Sequence, residues 1–211
     1  EFWSRAGWDW LCRAGAQHPV YWRKASRGVW LCREFGQWTP LDENRPVIHV
    51  NWFEAAAYCR WAGRRLPTEA EWEWAAAASF ASTRGDSRQE APRTPYPWGE
   101  DPPTPVRANL DGASGGTVPV SALAAGDSRL GCRQLMGNVW EWTSSDFLPY
   151  PGFSRDPYKD YSQPWFGTHK VLRGGCWLTR SRLIHNLFRN FYTPDRRDVM
   201  AGFRTCAVSP A

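Results

Sequence analysis

The histidines and cysteines are the side chains of this sequence best suited to metal ligation or nucleophilic chemistry, and their spacing argues against both. His18, His49, His169 and His185 form no His-x-x-x-His pair or related helical ligand spacing. Cys12, Cys32, Cys59, Cys132, Cys176 and Cys206 include no Cys-x-x-Cys pair and no His/Cys combination at zinc spacing. Cys59 lies in an alanine-rich helical pattern and reads as a small buried hydrophobe. Three short motifs stand out instead. In Gly137-Asn138-Val139-Trp140-Glu141-Trp142 the first two residues tolerate positive φ and signal a turn. The alternation that follows has the period of a strand, which sends Trp140 and Trp142 to one face and the Glu141 carboxylate to the other. Arg173-Gly174-Gly175 lets two backbones approach where a β-carbon would clash. Ala201-Gly202-Phe203-Arg204 follows near the end.

The elements that must hold these motifs are partly marked by their caps. Asn51 with Glu54 makes a capping box, and Phe53, Ala57 and Trp61 recur at i, i+4 and i+8, so the spacing predicts a helix ending at Gly63. Thr68 with Glu71 makes a second box and opens a helix whose Trp72, Ala75 and Ala76 face inward. Pro46-Val47-Ile48-His49-Val50 is a β-branched run leading to Asn51. Residues 1–46 are aromatic and arginine-rich without a clean period, and are expected to form short strands and loops around the core. Residues 79–128 turn to Gly, Pro, Ser, Thr and Ala and read as a long irregular insert, punctuated by Pro97-Trp98-Gly99 and Arg107-Ala108-Asn109-Leu110. The expected fold class is α+β, two helices on small irregular sheets with long loops. Fifteen tryptophans suit such a core, because each indole brings apolar area and one N–H for a stray backbone carbonyl.

Length and charge exclude some functions. The 211 residues fit one domain. No apolar run approaches the roughly 18 residues of a membrane-spanning helix. The net charge of +5 comes from scattered arginines, with Arg180, Arg182, Arg189, Arg196, Arg197 and Arg204 crowding the last third. That set is not lysine-rich and lies among the motifs, so a nucleic-acid partner is not expected. Cysteine usage and the lack of a leader-like opening give the expectation of a cytoplasmic protein with reduced thiols. The aromatic opening Glu1-Phe2-Trp3-Ser4 reads as the middle of a protein, and a C-terminal fragment is expected.

The three motifs in this order, with His49-Val50-Asn51-Trp52-Phe53-Glu54-Ala55 and Arg65-Leu66-Pro67-Thr68-Glu69-Ala70-Glu71-Trp72-Glu73, resemble the formylglycine-generating-enzyme (sulfatase-modifying-factor) domain over roughly residues 46–206. That domain is a variant of the C-type-lectin fold, and the resemblance implies this fold here. Formylglycine-generating enzymes carry two copper-binding cysteines after the Arg-Gly-Gly motif, where this chain has Thr179 and Ile184. Neither supplies the thiolate that Cu(I) needs. Cys176 takes the usual serine place and Cys206 follows the closing Phe-Arg pair, so formylglycine generation is disfavoured. The segments 147–153, 156–167 and 189–198 resemble the C-terminal half of the ergothioneine sulfoxide synthases, including relatives that make ovothiol or selenoneine. What this implies is a non-haem Fe(II) enzyme that joins a thiol or selenium donor to the imidazole of a histidine betaine, using O₂. The iron ligands of that family are three histidines of an N-terminal DinB-like helical domain, which lies outside this chain.

The resemblance also assigns roles. Tyr158 stands where some members keep a phenol near the iron that delivers a proton, the alternative being an aromatic anchor for its loop; Tyr161 reads as packing. Asn190, Phe191 and Tyr192 fall in the segment that receives the betaine, where an amide fixes imidazole or carboxylate and aromatic faces suit a quaternary ammonium. Members that take a γ-glutamyl-cysteine donor put an acid where Tyr192 stands, which points here to free cysteine or another donor. Arg196 aligns with an arginine that pairs with the donor carboxylate; otherwise it is a surface charge paired with Asp195 or Asp198. Asn109, Asn138 and Glu141 supply hard oxygen atoms where formylglycine enzymes hold calcium, the alternative being a structural hydrogen-bond role. His185 either faces the pocket or is a hydrogen-bonded structural residue. A rival function is a non-catalytic lectin-like binding module, in which residues between Arg173 and Arg204 would be asparagine-rich and interchangeable.

Overall fold

A computed structural model of the chain describes residues 1–77, 93–158, 160 and 162–208. It opens with helix α1 (Arg5–Ala14), where short strands and loops were expected. The reason is local: Ser4 caps it by accepting from the Gly7 N–H at 3.1 Å, and Gly15 closes it in the left-handed conformation. The expected short strands follow as β1 (Trp22–Lys24), β2 (Trp30–Glu34) and β3 (Gln37–Pro40), an antiparallel sheet in the order β1-β2-β3.

Helix α2 (Trp52–Trp61) has its complete capping box: the Glu54 N–H donates to Asn51 at 2.9 Å, and the Asn51 N–H to the Glu54 carboxylate at 2.8 Å. Its buried face differs from the expected stripe. Ala55, Ala56, Ala57 and Cys59 turn inward, whereas Trp61 is 63% exposed, because the small residues allow close packing against the core. Burial lifts the Cys59 thiol to about 11, as suits an apolar filler. After β4 (Arg64–Arg65), helix α3 (Glu69–Ala77) starts at the second capping box, with the Glu71 N–H donating to the Thr68 hydroxyl at 3.1 Å. Trp72 and Ala76 are buried as expected, and Ala75 is half-buried.

The Arg65 guanidinium and the Thr68 N–H hold the Glu71 carboxyl down at about 2, from an ordinary 4.5. A depressed folded value means the contribution is complete above pH 4.5 and is lost as pH falls through about 2. Replacing Glu71 by Gln should therefore flatten the fall of stability between those pH values in acid titrations followed by circular dichroism. An unchanged slope would remove Glu71 from the acid response.

The central sheet runs β7-β6-β5-β8, from β5 (Trp140–Asp146), β6 (Lys170–Arg173), β7 (Asn190–Tyr192) and β8 (Ala201–Gly202). β5 pairs antiparallel with β6 and parallel with β8, and β7 is an edge. The last strand, β9 (Cys206–Ala207), closes back on β4. The motif glycines act at backbone crossings. Gly174 has φ +92°, and a β-carbon there would stand 2.6 Å from the Leu135 carbonyl oxygen. The Gly137 N–H donates to the Gly174 carbonyl at 2.7 Å, and Asn138 takes φ +66°. The indoles meet stray carbonyls, Trp142 donating to Val50 at 2.9 Å and Trp52 to Thr143 at 2.8 Å. Of the irregular insert, residues 79–92 lie outside the described residues; beyond them Tyr96 bridges to Gly99 and Asn109 to Gly137. No helix among the described residues is long and apolar enough to cross a membrane.

Candidate functional site

β7 carries three of the expected site residues, and the turn after it carries the fourth. Asn190 and Tyr192 stand opposite Leu172 and Lys170 on β6. The Asn190 side-chain oxygen accepts from the Phe191 N–H at 2.9 Å. Phe191 stacks on Phe147 with centroids 3.9 Å apart and meets the edge of His169 at 5.7 Å, so its ring acts as a packed wall. The Arg196 guanidinium lies 5.1 Å above the Tyr192 ring and makes a two-pronged pair with Asp198, at 2.6 and 2.7 Å. That pairing is the surface alternative foreseen for Arg196. Both partners are open to water, 45% and 62% exposed, so the pair contributes only about 0–1 kcal/mol and another carboxylate can displace Asp198. The turn is fixed from below: the Trp52 N–H donates to the Pro194 carbonyl at 3.0 Å and the Asn51 amide to the Asp195 carbonyl at 3.4 Å.

Tyr158 stands apart from this group. It is 67% exposed, and its backbone N–H donates to Asp156 at 3.0 Å. Its loop reaches β7 through a relay of contacts. The Trp165 indole donates to the Asp160 carbonyl at 2.9 Å, Trp165 meets the edge of His169 at 5.2 Å, and His169 meets Phe191. Tyr161 lies outside the described residues. His169, not singled out in the sequence, thus joins the loop to the edge strand. Burial lowers its pKa and the nearby Arg196 adds to that, which favours the neutral ring.

At the start of β7 lies an ion cluster that the sequence analysis did not foresee. Glu69 and Glu73 are four apart, which places both carboxylates on one face of α3. Between them sits the Arg173 guanidinium, fully buried, with contacts of 3.1 and 2.9 Å to the two acids. Arg173 also donates to the Asn186 carbonyl at 2.6 Å and lies over the Trp72 ring. Arg189 reaches Glu69 at 2.6 Å from the start of β7. The Tyr150 hydroxyl donates to Glu69 at 3.2 Å, and burial followed by the Glu69 charge raises its pKa.

Asn109, Asn138 and Glu141, read from the sequence as calcium ligands or as structural hydrogen-bonding residues, have the hydrogen bonds of the second alternative. Both Glu141 oxygens accept from Arg204 at 2.6 Å, and one also from the Trp72 indole at 2.7 Å. The Asn138 oxygen accepts from Val118 and from the Asn109 amide, and the Asn109 oxygen from Ser114. Oxygens already filled by protein donors do not suit a hard cation. His185 is exposed and its ring accepts from the Leu187 N–H at 3.2 Å, which matches the hydrogen-bonded alternative given for it.

Thr179 and Ile184, at the copper-cysteine places, do converge. Their side chains come within 3.3 and 3.1 Å of where a β-carbon on Gly175 would stand. A hydroxyl and a butyl group thus meet where two thiolates would be needed. Among the described residues no group of three or more His, Cys, Asp or Glu side chains could hold a metal ion. A cavity of about 870 Å³ opens between the β2–β3 hairpin, residues 41–49 and Trp177. None of the candidate site residues lines it, although Asp198, the partner of Arg196, does.

Residues 4–208 match the family of the sulfatase-modifying factor enzyme 1-like domain. The chain is 43% identical to a hercynine oxygenase from Mycobacterium tuberculosis, over 97% of this chain and 46% of that protein. It is 37% identical to a formylglycine-generating enzyme from Streptomyces coelicolor, over 78% of this chain and 52% of that protein. The chain spans about half the length of the curated relatives it matches. Among solved structures, PvdO from Pseudomonas aeruginosa superposes with a TM-score of 0.56 at 22% identity, covering 93% of this chain and 74% of that one. That likeness shows the fold.

Proposed function

Because the chain belongs to the sulfatase-modifying factor enzyme 1-like domain family, we propose that it forms the substrate-facing half of an oxygenase that attaches a thiol or selenium donor to the imidazole of hercynine, the betaine of histidine. The edge strand β7 carries this reading. There Asn190 and Tyr192 share one face with the Arg196 guanidinium over the Tyr192 ring, while Phe191 packs on the other, a set suited to small zwitterions. The identity to hercynine oxygenases over nearly the whole chain supports the substrate. Thr179 and Ile184 against Gly175 argue against formylglycine generation, despite the likeness to those enzymes.

In this reading Asn190 holds the polar end of the betaine, and Tyr192 offers a ring face to its quaternary ammonium. Arg196 leaves Asp198 for the carboxylate of the donor. Tyr158 supplies a proton at the oxygen-reduction stage. Fe(II) provides the oxygen chemistry when bound, through ligands that lie outside this chain. Tyr192 in place of an acid favours free cysteine over a γ-glutamyl donor.

Incubating the complete enzyme with hercynine, cysteine, Fe(II) and O₂ tests the reading by mass spectrometry: a sulfoxide product supports it, and its absence with every thiol and selenium donor tried rejects it. Replacing Arg196 by Ala should raise the donor KM about 10- to 100-fold, the worth of a charge-assisted hydrogen bond, and leave the hercynine KM within a few-fold. An unaltered donor KM in a folded variant would take Arg196 out of the site.

A further inference from the structure

We infer that Glu69 and Arg189 are positioning residues that set the edge strand β7 against the loop carrying Tyr158; the inference rests on the function proposed above. Arg189 immediately precedes Asn190. Its Nε and Nη2 lie 2.6 and 2.8 Å from the two Glu69 oxygens, and its Nη1 donates to the Leu148 carbonyl at 3.1 Å. The same guanidinium covers the rings of Phe147 and Tyr150, at 4.8 and 4.3 Å. One side chain from the strand therefore grips three residues at the root of the loop.

Its counter-charge grips the same root, because the Tyr150 hydroxyl donates to Glu69. Glu69 is itself anchored on the central sheet. Its backbone N–H donates to Ser145 on β5 at 2.9 Å, and its carboxylate pairs with Arg173 on β6. Both Arg189 and Glu69 are largely buried, 15% and 12% exposed, so little water competes for the pair. Packing by Phe147 on Phe191 joins the same two segments but does not fix their angle, since stacked rings can slide. The planar fork of Arg189 does, with Nη2 donating to Glu69 and Nη1 to the Leu148 carbonyl. A displacement of about 1 Å between a proton donor and a bound substrate is enough to lower turnover on the order of 10²-fold.

Arg189→Lys keeps the charge and removes the fork. In the chain itself, hydrogen exchange should quicken at least 10-fold over residues 147–158 and 190–192 while α2 is unchanged. In the complete enzyme, turnover should fall about 10- to 100-fold. The diagnostic readout is a double-mutant cycle with Tyr158→Phe: adding Arg189→Lys there should reduce turnover by less than about 3-fold, because the two act on one step. Losses that multiply in full would make Arg189 a structural residue only and overturn the inference, as would unchanged exchange. Glu69→Gln carries the same test should Arg189→Lys fail to fold. An enzyme that makes no product from hercynine would instead reject the proposed function, and the exchange experiment would then decide this inference by itself.

Discussion

Tyr158→Phe in the complete enzyme should lower turnover to the C–S or C–Se product by roughly 10²–10⁴-fold, the usual worth of general acid catalysis. Both KM values and the melting temperature should stay close to wild type. The structure strengthens the second half of that expectation. Tyr158 is 67% exposed and is held through its backbone by Asp156, so removing the hydroxyl leaves no buried group unpaired and no cavity. Oxygen uptake should persist better than product formation, with the thiol donor oxidised instead to a sulfinic acid. Measuring both products against O₂ consumed decides the matter. Turnover within a few-fold of wild type would make Tyr158 a loop anchor and move the acid elsewhere.

Arg173→Met should destabilise the domain by about 2–4 kcal/mol in urea titrations, because it removes the buried guanidinium shared by Glu69 and Glu73 and leaves them only Arg189 and Arg93. That is a large part of the roughly 5–15 kcal/mol that holds a domain together. Arg196→Ala is the natural control. Its ion pair is open to solvent and should contribute no more than about 1 kcal/mol. A loss below about 1 kcal/mol for Arg173→Met would mean that water reaches the cluster and takes over the solvation of the acids.

The caps and turns were determined by the sequence itself. Asn51 with Glu54, Thr68 with Glu71, and the positive φ of Asn138 were all readable, because each satisfies its hydrogen bonds or its steric limits within a few residues. Ser4 and Gly15 carried the same kind of signal for α1, but the surrounding aromatic and arginine residues lack a helical period and hid it. The order of the motifs determined the family for a related reason: the close backbone crossings at Gly137 and Gly174 require glycine in any sequence that makes them. Tertiary structure alone decided the partners of the charges. Glu141 faced the opposite side from its neighbouring indoles, as alternation requires, yet only the fold brought Arg204 to it from 63 residues away. Glu69 gathers Arg173 and Arg189 from 104 and 120 residues away. Spacing carries no information about such pairs, because a charge is satisfied by any opposite charge the topology delivers. The exposure of Trp61 was settled in the same way. A helix with alanine on one face and indole on another can bury either, and the close approach of the core selected the alanines.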